Sequence, residues 1–346
     1  MRTKNIFKKY YALLMLLVFS ATVFWGLAAT VAKSPALASV LLHSDSLKIV
    51  QLSDVHYTTS ATNKGPRMLA DSKNLLEDAI YQVNKMDNID VVVFSGDSID
   101  SPVKKDLISF AKIANRLKYP WYYALGNHEV SISGELTKEK YFRIVEALNL
   151  NYSALTIHDV ALRPYYVIAP KKDYKVIFLD GVIDSRITAN GEFTEKQLKW
   201  LDEKLTAYKN QKVIVVQHFP VVEPCKSIGH RALDAPEYLE VIDKHKNVVA
   251  VLSGHYHCAK ITQRNNVLHI SAPSLVQYPN SFNVITISED SNKIKVEVRQ
   301  VSTRLENIKE QSLKQMGKNA KVYSASQKSE ASVFYLSKPQ AVDLKK

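Results

Sequence analysis

Short apolar runs alternating with amphipathic stretches mark out most elements of the chain. Residues 47–52 alternate and end at Ser53-Asp54, the pattern of a half-buried strand. Residues 68–86 carry Leu69, Leu76, Ala79, Ile80 and Val83 at helical spacing. Residues 90–94 are an apolar run that predicts a central strand covered on both faces, and they deliver Gly96-Asp97. A second helical stretch, 104–117, leads to a strand at 121–125. Strand–helix–strand alternation of this kind predicts a layered α/β fold with its chemistry at the carboxyl ends of strands.

The second half repeats the theme with more strand, at 165–169, 175–179, 212–217 and 248–252, then 267–270, 283–288 and 294–298. Thr194 is placed to cap a helix running through Tyr208, with Gln197 as capping-box partner and Leu198, Leu201 and Leu205 as its buried stripe. A polar helix is expected at 305–316, followed by a Ser/Lys-rich tail with little to bury. The chain shows no internal repeat and no linker between 47 and 301. The expected organisation is a basic N-terminus (1–9), an apolar segment (10–32), a linker (33–46), one domain (47–301) and a polar basic tail (302–346).

The net charge of +12 belongs to the ends: residues 1–33 and 303–346 contribute +5 each, leaving +2 for the body. A nucleic-acid groove needs basic residues clustered on the folded part, so no nucleic-acid partner is expected. Residues 10–32 are uncharged, follow Arg2, Lys4, Lys8 and Lys9, and are long enough to cross a hydrocarbon core of about 30 Å. They are read as a transmembrane anchor with a cytoplasmic N-terminus, the membrane being a partner through this helix. The competing reading is a signal peptide cleaved after Ala36-Leu37-Ala38. Either reading puts the body outside the cytoplasm, anchored or secreted. The two cysteines, Cys225 and Cys258, each follow a histidine motif and could pair in an oxidising compartment.

Five short motifs carry the candidate chemistry: Asp54-Val55-His56, Gly96-Asp97, Gly126-Asn127-His128-Glu129, His218 and Gly254-His255-Tyr256-His257. In an extended segment, side chains two apart share a face, so Asp54 with His56, and His255 with His257, can converge. Carboxylate and amide oxygens mixed with imidazoles suit Mn, Fe or Zn better than Ca. Two such ions roughly 3.5–4 Å apart can activate a bridging water and hold a phosphate in line. Neither a cysteine nucleophile nor a phosphate-cradling loop is needed, and no P-loop signature is present. His43, His158, His230, His245 and His269 lack a motif context and read as structural or surface residues. Lys226, His230 and Arg231, between two of the motifs, could contact a substrate phosphate.

The ordered series resembles the calcineurin-like metallophosphoesterase superfamily, whose pattern is DxH, GD, GNH(D/E), H and GHxH. That resemblance implies a four-layer α/β-β/α sandwich of two mixed β-sheets flanked by helices, spanning 47–301. It implies that Asp54, His56, Asp97 and His257 surround one divalent or mixed-valence metal ion. Asp97, Asn127, His218 and His255 would surround a second, with Asp97 shared. His128 would be the proton donor for hydrolysis of a phosphomonoester or phosphodiester by a metal-bridging hydroxide, and Glu129 would at most orient it. Ala272-Pro273-Ser274 with Gln277, and Gly191 ahead of Gln197, Leu198, Trp200 and Leu201, resemble the bacterial cyclic-nucleotide phosphodiesterase-like branch. Ser98 and Ile99 supply no tyrosine ligand of the purple acid type. The partner is then a small-molecule phosphate ester. Other readings are a silent metal-binding scaffold of the same fold, or an enzyme acting on envelope phospholipid or polysaccharide headgroups.

Overall fold

Three parallel strands, β1 (Leu47–Leu52), β2 (Val91–Ser95) and β3 (Trp121–Ala124), form the half of one sheet that carries the first three motifs. The computed structural model describes residues 46–60, 62–63, 65–130, 135–149, 164–226, 229–324 and 331–338. Helix α1 (Ser72–Asn84) crosses over from β1 to β2 and buries Leu75, Leu76, Ala79, Ile80 and Val83. Helix α2 (Lys104–Ala114) does the same from β2 to β3. Phe94, Phe110 and Trp121 pack edge-to-face between strand and helix, with centroids 5.1–6.2 Å apart.

The second sheet, in spatial order, runs β4 (Tyr166–Lys171), β5 (Tyr174–Phe178), β6 (Lys212–Val216), β7 (Val248–Ser253), β9 (Val267–Ser271) and β8 (Lys260–Arg264). Its four inner strands are parallel, and β4 and β8 are antiparallel edges. On the first sheet, β10 (Ser281–Asp290), β11 (Lys293–Ser302) and β12 (Ser332–Ser337) continue antiparallel from β1. Helices α3 (Lys138–Leu148), α4 (Glu195–Ala207), α5 (Ala235–Lys244) and α6 (Glu306–Met316) complete the fold. The α/β architecture of two mixed sheets flanked by helices is therefore as expected.

Several local expectations change. Strand β1 is buried along nearly its whole length, because its outer face meets the second sheet. Gln51 is fully buried there, and its amide donates to Ser95 Oγ (3.2 Å) and the Ser253 carbonyl (3.0 Å) while accepting from Asn283 (3.0 Å). A buried amide needs such partners, and the bond to Ser253 on β7 ties the two sheets together beneath the motifs. Thr194 does cap α4, accepting from the Gln197 N–H, but Gln197 does not reciprocate. Its side chain instead accepts from the Asp180 N–H (2.8 Å) and donates to the Asp180 carbonyl (2.6 Å). Part of the expected tail is structure: β12 pairs with β11 from Lys293↔Ser337 to Val298↔Ser332. Its short Val-Phe-Tyr-Leu run can satisfy one side of its backbone on a ready sheet edge. The expected anchor or signal segment at 10–32 lies outside the described residues. Among the described residues, no helix is long and apolar enough to cross a membrane.

Candidate metal centre

Every motif lies just beyond the carboxyl end of a parallel strand: β1, β2, β3, β6 and β7 in turn. The backbone turns sharply there. Asp54, His56, Asp97, His255 and His257 all have left-handed φ values, between 43° and 70°. Non-glycine residues adopt that region at a cost, and such conformations concentrate at functional sites. Gly96 is also left-handed (φ 94°), and a Cβ there would lie 2.3 Å from His218 Nδ1. At Gly254 a Cβ would lie 2.0 Å from Ser53 Oγ and 2.5 Å from Asp54 Oδ2. These two glycines let the motif loops of the two sheets touch.

Three groups of ligand atoms result: one cage of Asp54, His56 and His257, a second of Asp97, His218 and His255, and a flanking group of His56, Asp100 and His128. In the first, His56 Nε2 faces His257 Nε2 at 3.2 Å, and His257 Nε2 lies 3.3 Å from Asp54 Oδ1. In the second, His255 Nδ1 faces His218 Nε2 at 3.1 Å, and His218 Nε2 lies 3.1 Å from Asp97 Oδ2. Asp97 Oδ2 is also 3.7 Å from His56 Nε2, so this one carboxylate reaches both cages. Asn127 Oδ1 and His255 Nε2 are buried without a hydrogen-bond partner.

A hydrogen bond on the far side of two rings fixes which nitrogen faces inward, and a third ring lies beside a carboxylate. Nδ1 of His218 meets the Ser95 carbonyl (2.9 Å), Nδ1 of His257 meets Gln277 Oε1 (3.1 Å), and Nδ1 of His56 meets Asp100 Oδ1 (3.2 Å). With Nδ1 of His218 and of His257 turned outward to these acceptors, their Nε2 atoms face into the cages. Burial pushes the His56 imidazole down to about 4, against Asp100 and Asp97. His255 is held well below the usual range by burial and then His218. Burial also lowers His218, but Asp97 outweighs it and lifts the ring to about 9. Burial opposes ionisation of Asp97, yet His218 and His128 outweigh it and hold its carboxyl far down. Facing imidazole nitrogens, a shared carboxylate and an orphaned amide oxygen together make a donor set for cations. The donor set fits two ions of the Mn, Fe or Zn type.

Three residues outside the expected set complete the site. Asp100, three positions after Asp97, holds His56, and its carbonyl accepts from His128 Nδ1 (2.6 Å). Arg67 lies 3.7 Å from the Asp100 carboxylate. Gln277, which sequence reading treats only as a mark of resemblance, orients His257. Glu129 does not touch the His128 ring. Fully buried, it accepts from the N–H groups of Asp97 (3.0 Å), Ser98 (2.5 Å), Ile99 (3.2 Å) and Gly126 (2.6 Å), clamping the second motif loop to the third. Burial, then the Asp97 charge, raises its carboxyl to about 7. The His128 N–H donates to Asp97 Oδ1 (3.0 Å), and its ring is partly exposed.

A cavity of about 410 Å³ opens over both cages, and Arg67, Asn127, His128, Lys226 and His230 are among its lining residues. Arg231 instead pairs with Glu223 (3.2 Å). His245 pairs with Asp202 (2.8 Å) and His269 is buried on β9, while His43 and His158 lie outside the described residues.

Residues 47–259 match the calcineurin-like phosphoesterase family. The chain belongs to that family. Calcineurin-like phosphoesterases are hydrolases, and this chain is a metallophosphoesterase by membership, fold and donor set together. It is 26% identical over 237 residues to a protein of Arcobacter nitrofigilis named "Probable glycerophosphodiester phosphodiesterase GpdQ", covering 65% of this chain and 77% of that one. It is 24% identical over 310 residues to the "Manganese-dependent ADP-ribose/CDP-alcohol diphosphatase" of Arabidopsis thaliana, covering 74% and 96%. Among solved structures, a dimetal phosphatase from Danio rerio has the same fold, with a TM-score of 0.55, 18% identity and coverage of 74% and 99%.

Proposed function

We propose that the chain hydrolyses a small phosphodiester or phosphomonoester with two metal ions, one held by Asp54, His56, Asp97 and His257 and the other by Asp97, Asn127, His218 and His255. The observation that carries this reading is the pair of facing imidazole cages joined by one carboxylate. When bound, the ions supply Lewis-acid charge to the phosphate oxygens and lower the pKa of water.

The chain's own residues do the rest. His128 gives its Nδ1–H to the Asp100 carbonyl, so Nε2 is the nitrogen left to protonate the departing oxygen. Burial lowers the His128 pKa, but Asp97 and Asp100 outweigh it and keep the ring protonated more readily than a free imidazole. Arg67, Lys226 and His230 line the cavity on the substrate side and favour an anionic ligand. The cavity is of the size that takes a nucleotide or a headgroup. The names of the relatives supply the first compounds to try: glycerophosphodiesters, cyclic nucleotides and diphosphate esters. Residues 10–32, flanked by positive charge, support an extracytoplasmic site of action, and N-terminal sequencing of the membrane fraction tests that point.

The experiment is reconstitution with Mn, Fe or Zn, metal analysis, and a turnover screen of those esters beside nitrophenyl phosphate monoesters and diesters. Two ions bound with no turnover on any ester would support the silent scaffold instead.

A further inference from the structure

Tyr323 lines the cavity over the metal centre, yet it belongs to a segment well beyond the matched residues 47–259. Helix α6 buries Ile308, Ser312 and Met316, and a short helical turn, α7 (Ala320–Tyr323), follows it. Ser312 is fully buried, and its hydroxyl donates to the Pro66 carbonyl (2.6 Å) and accepts from the Tyr278 N–H (2.7 Å). Those two residues flank Arg67 and Gln277, which pair with each other as a β-bridge, so one side chain of α6 holds both sides of the pair. Farther along, the Tyr323 carbonyl accepts from the Ala259 N–H (2.9 Å), and the Val322 carbonyl accepts from the free thiol of Cys258 (3.2 Å). The segment is thereby tied down beside Arg67, beside Gln277 and just after His257.

We propose that Tyr323 is a specificity-determining residue, held at the cavity by the segment 306–323, and that it binds the ring of a phosphate ester whose substituent is planar and aromatic. Two further rings that are neither ligands nor the proton donor line the same cavity, Tyr256 and His230, with centroids 6.3 Å apart. Tyr256 is fixed between two ligands in sequence, and the His230 ring lies 5.2 Å from that of His255. The two cages with Arg67 and Lys226 account for the phosphate, which leaves the rings to meet the rest of the ester. Aromatic faces gain more from an offset or edge-on contact with a second ring than from a small alkyl group, which covers little of their area. Rigid backing matters for such a contact, and the bonds of Ser312 and of the Tyr323 carbonyl supply it. This role rests on the phosphoesterase reading of the metal centre and names the substituent that its substrate carries.

The test is calorimetric binding of phenylphosphonate and methylphosphonate, which cannot be hydrolysed and differ in the ring, to the full-length protein loaded with Mn. The parent is expected to bind phenylphosphonate about tenfold more tightly than methylphosphonate. Tyr323→Ala and Tyr323→Leu are expected to lose most of that preference, and Tyr323→Phe, which keeps the ring, to retain it. Metal analysis should find both ions in every variant, since Tyr323 is not a ligand; loss of an ion would make the effect structural and overturn the role. Equal affinities in the parent, no binding of either probe, or a preference that survives Tyr323→Ala and Tyr323→Leu would overturn it too. Turnover of esters with no preference for a ring would leave the phosphoesterase reading standing and remove this role. Ring-selective binding through Tyr323 without turnover of any ester would do the reverse.

Discussion

Gly254→Ala is the sharpest test of how the two sheets share one centre. Its Cβ would sit 2.0 Å from Ser53 Oγ, 2.5 Å from Asp54 Oδ2 and 3.1 Å from the Ser95 carbonyl. To reach even 3.0 Å, the carboxylate oxygen must retreat by about 0.5 Å and the hydroxyl by about 1 Å. Ser53 cannot simply rotate away, because its Oγ donates to Asp54 Oδ2 at 2.6 Å. Both Asp54 oxygens also accept from the His255 N–H at 3.1 Å, so moving the carboxylate disturbs a ligand on the other sheet. Overpacking of this kind costs about 1–3 kcal/mol. The effect on metal should be larger, since ligand positions tolerate only about 0.2 Å. The expected outcome is a folded protein, slightly less stable in urea, that loses the ion at Asp54, His56 and His257 first. Titration of the metal-free protein with Mn by calorimetry should show one retained site and one weakened by about a hundredfold. Two parent-like sites at parent-like stability would refute the argument that Gly254 is there for close approach.

Other perturbations separate the remaining roles. Asp97→Asn is expected to remove tight binding of both ions at once, by metal analysis, because its Oδ2 reaches both cages; loss of only one ion would deny the shared role. His128→Ala should keep both ions and lower kcat by about 10²–10⁴-fold, as for loss of a general acid. Loss of metal in that variant would instead make His128 a ligand. Asp234 tests a pH effect away from the centre: burial lifts its carboxyl to about 6, although the Phe193 N–H donates to it (2.8 Å). A raised folded-state pKa contributes stability that is complete below the unfolded value near 3.8 and lost as pH climbs through about 6. Asp234→Asn should therefore raise Tm at pH 7–8 and lose that advantage near pH 4; an advantage that grows toward acid would contradict the burial argument.

Strands β1, β2, β3, β6 and β7 are legible in the sequence because each is a short apolar run that ends in a motif. The ligand candidates are legible for a related reason: metal ligands come from few residue types, and strand ends fix their spacing. Helices α3 and α5 were not among the expected elements, although their period is legible: Tyr141, Phe142, Ile144, Val145 and Leu148 share one face of α3, and Tyr238, Leu239, Val241 and Ile242 one face of α5. The edge strand β8 shows no apolar alternation because none of its residues is buried. Asp100, Gln277 and Arg67 could not be assigned from sequence, because their roles depend on which ring each one meets across the fold. Glu129 is the instructive case. Its place beside His128 in the motif suggests a partner to that ring, whereas the fold turns it inward onto four backbone N–H groups.

The left-handed backbone at Asp54, His56, Asp97, His255 and His257 bears on how the protein matures. Such conformations persist only where the surroundings over-determine them. Here those surroundings are the Glu129 clamp, the Ser95 carbonyl, the Gln277 amide and the contact across Gly254, all supplied by the chain itself. Folding is therefore expected to precede metallation. Treatment with a chelator should leave a folded protein that can be recharged with a different ion. Which ion it carries is then set by what the compartment offers a finished cage, not by what was present while the chain folded.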